Sequence, residues 1–105
     1  MAFIPKRLYQ GQMSTTLTTV LATTTTAKQW VITDIEIVNN DTATRNVTLA
    51  LPGSGAANRL FNAFPVQAGE TVQWTGRMVT ESTETITGGA SAASVVTVTI
   101  SGAEG

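Results

Sequence analysis

The chain contains no histidine and no cysteine. Without imidazole it lacks the usual general base and proton shuttle near neutral pH, and with thiols missing as well it lacks the common ligands for zinc and other transition metals. An enzyme is therefore the least expected reading, and no cofactor or metal is expected. The same absence leaves no disulfide framework, so stability must come from packing or from assembly with other subunits. Charge is scarce too, at 12% of residues and a formal net −1, so no field exists that would gather nucleic acid or an anionic membrane. Neither partner is expected. No apolar run approaches the roughly 20 residues needed to cross a bilayer. The opening Met1-Ala2-Phe3-Ile4-Pro5-Lys6-Arg7 sets its basic pair after a very short apolar stretch, with no apolar core following, so it does not read as a secretory signal. These features suit a soluble protein made in a cytoplasm.

What the chain has in abundance is threonine, 20 of 105 residues, much of it interleaved with Val, Ile or Leu. A β-branched side chain fits a pleated surface while its hydroxyl can face water, which points to β-structure. Hydrophobic residues make up 42% of the chain, which disfavours disorder. A chain of this length is about the modal size of one domain and can bury roughly two thirds of its unfolded surface.

Strand and turn signals fill the chain, with no good helix. Residues 17–21 form a weak strand, followed by a loop or edge at the polar tract 23–26. A stronger strand spans 29–38, with Val31, Thr33, Ile35 and Ile37 on one face and Trp30, Ile32, Asp34, Glu36 and Val38 on the other. The Ile35/Ile37 face is expected to point inward. Asn39-Asn40-Asp41 reads as a turn into the strand 45–51, whose Val47, Leu49 and Leu51 alternate with polar or small residues, and the two strands are expected to form a hairpin. Residues 52–58 read as a flexible loop; Leu60, Phe61, Phe64 and Val66 form an apolar cluster in which Pro65 argues against a central strand. A strand over 71–75 ends at Gly76, short candidates follow at 77–80 and 83–87, Gly88-Gly89 reads as a turn, and 94–101 is the cleanest strand, with Val96, Val98 and Ile100 on one face. Short strands separated by turn signals every 8 to 12 residues or so predict an all-β, antiparallel β-sandwich, either jelly-roll or immunoglobulin-like, with an extended N-terminal arm. The expected organisation is a docking arm over 1–12 and a single sandwich domain over 13–105.

The arm carries Phe3, Ile4, Leu8 and Tyr9 around Pro5, Lys6 and Arg7. Burial of each large apolar side chain is worth about 1.5–3 kcal/mol, so this segment is expected to dock, either along its own sandwich or onto a neighbouring subunit. Trp74 shares a face with Val72 and reads as core, whereas Trp30, on the face of Asp34 and Glu36, reads as rim or interface. The candidate protein-interface residues are accordingly Phe3, Ile4, Pro5, Lys6, Arg7, Leu8, Tyr9 and Trp30. Other candidates are weaker. Asp34 and Glu36 would stand about 6.5–7 Å apart on one strand face, which is more simply a solvated face than an acid/base pair. Glu81 and Glu84 read as surface charges, and Gly53-Ser54-Gly55-Ala56-Ala57-Asn58 lacks the third glycine, the helix and the lysine of a phosphate loop.

Four stretches carry a resemblance: residues 4–12 (IPKRLYQGQ), 30–40 (WVITDIEIVNN), 68–72 (AGETV) and 90–102 (ASAASVVTVTISG). Together they resemble small β-sandwich virion accessory proteins of tailed bacteriophages, a family with members in both head and tail. The resemblance implies a structural role on the virion with no catalytic residues to carry over. Its leading form is a capsid decoration or cement protein, a homotrimer assembled in the host cytoplasm and bound to the capsid surface, whose arm over residues 3–9 contacts the major capsid protein or an adjacent copy. The alternatives are a host-glycan-binding module using Trp30, Tyr9 and the loops 39–46 and 53–58, and a tail-associated adaptor.

Overall fold

The structure is a computed structural model describing residues 3–51 and 58–105; Met1, Ala2 and the expected glycine-loop residues 53–57 lie outside the described residues. Eight strands follow in order: β1 (Ile4–Gln12), β2 (Val20–Thr23), β3 (Trp30–Asn39), β4 (Arg45–Ala50), β5 (Arg59–Val66), β6 (Thr71–Thr80), β7 (Thr85–Ala90) and β8 (Val96–Glu104). They form two four-stranded antiparallel sheets, β1-β8-β3-β6 and β2-β7-β4-β5. The pairs β1–β8, β2–β7, β3–β6 and β4–β5 each sum to nine, as if one long hairpin were wrapped around the core. This is a jelly-roll arrangement, so strand order settles the choice the residues alone left open.

The first sheet buries alternate residues, and one crease modifies the alternation. Relative to β8, strand β1 holds an extra residue at Leu8 and β3 one at Thr33, while β6 holds a further extra residue relative to β3 near Gly76 and Arg77. Each bulge reverses side-chain parity along its strand. As a result Trp30 and Ile32 point inward on one side of Thr33, and Ile35, Ile37 and Asn39 point inward on the other. The uninterrupted alternation expected for β3 is therefore corrected: Trp30 is 4% exposed and packs in the core, separated by the bulge from the outward Asp34 and Glu36. The bulge also makes β6 one strand through Gly76, where the sequence suggested an end.

The second sheet is packed differently. Val47, Leu49 and Ile86 point into the core, but Thr48, Ala50, Thr87 and Gly89 on the opposite faces of β4 and β7 are buried as well. Gly88 and Gly89 are strand residues, not the expected turn. A Cβ on Gly89 would stand 2.6 Å from the Thr16 carbonyl oxygen, so only glycine lets the β1–β2 connection cross β7 here. That connection also gives the Ser14 and Thr19 carbonyls to the Ala90 and Gly88 N–H groups. On β5 a bulge places Ala63 at φ 49°, and its N–H donates to the buried Thr48 hydroxyl at 3.0 Å. Pro65 lies on this edge strand, as its missing donor requires.

β3 and β4 do not form the expected hairpin; they belong to different sheets, and the chain crosses the sandwich between them. Asn39 holds that corner. Fully buried, its Nδ2 donates to the carbonyls of Ala43 and Val66 at 2.9 Å and Gln67 at 3.3 Å, and its Oδ1 accepts the Asp41 N–H at 2.9 Å. At the opposite pole the buried Thr24 hydroxyl donates to that of Thr80 at 2.6 Å. Every buried side-chain polar atom among the described residues is satisfied, as a core of this polarity demands.

Candidate interaction surface

Residues 4–12 do not stand free of the sandwich. They form the edge strand β1, paired along β8 from Ile4 opposite Glu104 to Gln12 opposite Thr97. Of the two placements open to this segment, the chain adopts the one along its own body. Of the seven singled-out residues, Ile4 to Tyr9 therefore lie on this strand and Phe3 just before it, with Pro5 and Arg7 in register with the outer face and Ile4 and Lys6 with the inner one. The bulge at Leu8 lets both Leu8 and Tyr9 pack partly against the core. Phe3, Ile4, Pro5, Lys6 and Arg7 remain exposed, Ile4 at 68% and Phe3 at 43%.

Glu104 ties this strand to Trp30. Its Oε2 accepts the Trp30 indole N–H at 2.9 Å and its Oε1 faces Lys6 Nζ at 3.3 Å. Hydrogen bonds from Trp30, from Thr25 and from Lys6, in that order of weight, outweigh desolvation and hold the Glu104 carboxyl down at about 2, against an ordinary 4.5. The Phe3 ring lies over Gly105, with ring carbons 2.9 Å from where a Cβ would stand. Gly105 in turn exchanges both backbone hydrogen bonds with Gln29. Trp30 is thus joined to the segment, as a buried strut and not as an exposed anchor. A buried indole cannot serve as the open stacking platform that a glycan-binding role asked of it. Trp74, expected in the core, is half-buried and packs against it from β6.

Register places a second set of residues beside the segment. Across the first sheet, Pro5, Ala103, Val31 and Val79 align in one outward row spanning β1, β8, β3 and β6. Three strand spacings make this apolar stripe about 14 Å long. Val79 is 48% exposed. The next rows outward are polar: Arg7, Ser101, Asp34 and Thr75, then Gln10, Thr99, Glu36 and Gln73. Gln10 donates to Thr99 and Gln73 to Asp34, each at 3.1 Å, so much of this face is satisfied within itself. Asp34 and Glu36 are surface groups here, half-buried and exposed. Sequence reasoning missed Glu104, Ala103 and Val79. Their outward or bridging places follow from cross-strand register, which no local pattern encodes.

Elsewhere the described residues offer little built chemistry. A shallow cleft of about 330 Å³ lies between Ala27, Lys28, Gln29, Glu81, Ser82 and Gly105. Glu84 accepts the Glu81 N–H at 2.6 Å and thereby closes a turn. Among the described residues no group of three acidic side chains converges as a metal site would require.

No protein-family model matches the chain, and no curated protein matches it. Among solved structures it is similar to a chain of the cyanophage Pam1 capsid asymmetric unit, at 15% identity and a TM-score of 0.48, covering 98% of this chain and 86% of that one. A chain of the infectious bursal disease virus Gx strain matches at 10% identity and a TM-score of 0.42, with 95% and 32% covered. A pentameric capsid protein isolated from metagenomic phage sequences matches at 12% identity and a TM-score of 0.33, with 97% and 58% covered.

Proposed function

We propose that this chain is a non-enzymatic structural protein of a phage virion, and specifically a capsid decoration or cement protein that sits on the outer shell and stabilises it. The observation that carries the reading is the exposed segment over residues 3–7, held along an edge strand and contributing Pro5 to the apolar stripe Pro5–Ala103–Val31–Val79. Exposed apolar side chains on fixed β-structure, edged by Lys6 and Arg7, suit contact with protein and need no loop to be ordered on binding. The resemblance of four stretches of sequence to phage accessory proteins supports the same role, as does the lack of imidazole and thiol.

The mechanism is linkage. A module that binds only the assembled shell stabilises it by its binding free energy, and repeated weak contacts across subunit boundaries act together. The partner in this reading is the major capsid protein, and the threefold set of copies expected from the resemblance is tested by counting copies at each lattice point. The decisive comparison is of particles with and without the protein. Particles carrying it should resist heating and internal genome pressure better, and Ile4→Asp should abolish attachment while leaving the domain folded. Equal resistance of the two particle preparations would overturn the reading.

A further inference from the structure

The four sheet edges are not equally protected against pairing with another chain. Edge strands expose unpaired N–H and C=O groups, and proteins blunt them with proline, charge, bulges or short length. β1 carries Pro5, Lys6, Arg7 and a bulge at Leu8, and its remaining regular run is four residues that include Gly11. β2 is only four residues long and is bulged. β5 carries Arg59, Pro65 and two register shifts. β6 differs. Before its bulge, residues 71–75 (Thr-Val-Gln-Trp-Thr) run in unbroken register with β3 and contain no charge, proline or glycine. Among the described residues nothing hydrogen-bonds the outer edge of this run.

We infer that the β6 edge over residues 71–75 is a self-pairing site, which joins two copies of this chain antiparallel across a two-fold axis at Gln73. The run is complementary to itself. Inverted about Gln73, Val72 meets Trp74 of the second copy on the inner face, and Thr71 meets Thr75 on the outer face. Aromatic with β-branched and threonine with threonine are favourable cross-strand pairs. Charge points the same way. Glu70 precedes the run and Arg77 follows it, both exposed. Antiparallel inversion sets Arg77 opposite Gly69 and one residue from Glu70 of the second copy, twice over by symmetry. A parallel arrangement would set like charges together. Arg77 has no ion-pair partner within the described residues of its own chain. The contact is isologous, so it consumes the edge on both copies and closes at two instead of propagating. It would fuse two four-stranded sheets into one of eight. Because it is a two-fold contact on a different edge from β1, it is separate from the shell-binding segment and from any threefold arrangement, and it does not depend on the virion reading.

A contact five residues long is small beside the about 1,200 Å² total at which stable interfaces begin, so the pair should be weak in solution and favoured wherever copies are held close. Sedimentation of the isolated protein tests it. A monomer–dimer equilibrium is expected between about 10 µM and 1 mM, the weak range proper to so small an interface. Gln73→Lys places like charges at the axis while its side chain stays outward beside Asp34. Arg77→Glu sets acid against Glu70. Each should weaken dimerisation about tenfold or more, the scale of like-charge contacts across an interface. The double variant Glu70→Arg with Arg77→Glu should restore it. Amide exchange at residues 71–75 should slow as concentration rises. A protein monomeric at 1 mM, or a dimer indifferent to these substitutions in variants whose circular dichroism is unchanged, would overturn the proposal.

Discussion

The two sheets share a core but solve different packing problems. In the first, β1-β8-β3-β6, inward residues are mostly large and apolar, and outward residues are mostly Thr, Gln, Ser and acids lying in cross-strand rows. In the second, β2-β7-β4-β5, the central strands are covered on both sides, and the outward positions Thr48, Ala50, Thr87 and Gly89 are small and buried. The first sheet can accept changes on its outer face because water replaces whatever is lost. The second has no such freedom, because its outer face meets backbone. One half of the molecule therefore presents a surface that can be altered, and the other supplies the fixed body behind it.

The sharpest way to break this contrast is to put the same side chain on each outer face. Gly89→Val sets a branched side chain against the Thr16 carbonyl and should cost about 3 kcal/mol or more, enough to compromise folding. Thr99→Val on the first sheet should shift stability by no more than about 0.5 kcal/mol, since that position is half-exposed with only the Gln10 hydrogen bond to lose. Chemical denaturation of the two variants reads the difference directly. Next in size is the shared core, where Ile35→Ala should cost about 2–5 kcal/mol by the same measurement.

Asn39→Ala removes the corner that joins the sheets, leaving the carbonyls of Ala43 and Val66 without their donor. Thermal or urea unfolding should show a loss of about 2–4 kcal/mol. The smallest effect is conditional on pH. Because the folded Glu104 carboxyl is depressed to about 2 from 4.5, its stabilising contribution is complete above 4.5 and is lost as pH falls toward 2. Glu104→Gln should therefore flatten the fall in melting temperature between pH 5 and pH 2.5, and it should loosen β1, seen as faster amide exchange over residues 4–7. Asp41, held low first by the Thr42 N–H and then by Arg45, contributes a slope of the same sign, and Asp41→Asn provides the control.

The same contrast decides what could be read in the residues beforehand. β8 and the outward threonines of the first sheet follow a period of two, so Val96, Val98 and Ile100 could be placed on one face, the face that the fold buries. The jelly-roll order was not, because β1 meeting β8 and β4 crossing to the other sheet depend on pairings far apart in sequence. β3 was half legible: its inward Ile35 and Ile37 follow the alternation, but the single extra residue at Thr33 turned Trp30 inward against it. In the second sheet a strand buried on both faces shows no alternation, and Gly88-Gly89 has the composition of a turn, so only the chain crossing β7 explains it. For the candidate surface, the exposed residues from Phe3 to Arg7 could be singled out by composition. Their neighbours on β3, β6 and β8 could not.

The nested pairing has a kinetic consequence. Bringing β1 to β8 directly would close a loop of almost the whole chain, whereas β4 and β5 are close neighbours in sequence. Closure entropy rises with loop length, and topologies dominated by distant contacts fold slowly. Zippering outward from β4–β5 through β3–β6 and β2–β7 shortens each later closure, so the least costly route leaves β1 until last. The strand proposed above to meet the capsid is then also the one whose arrival completes the native state.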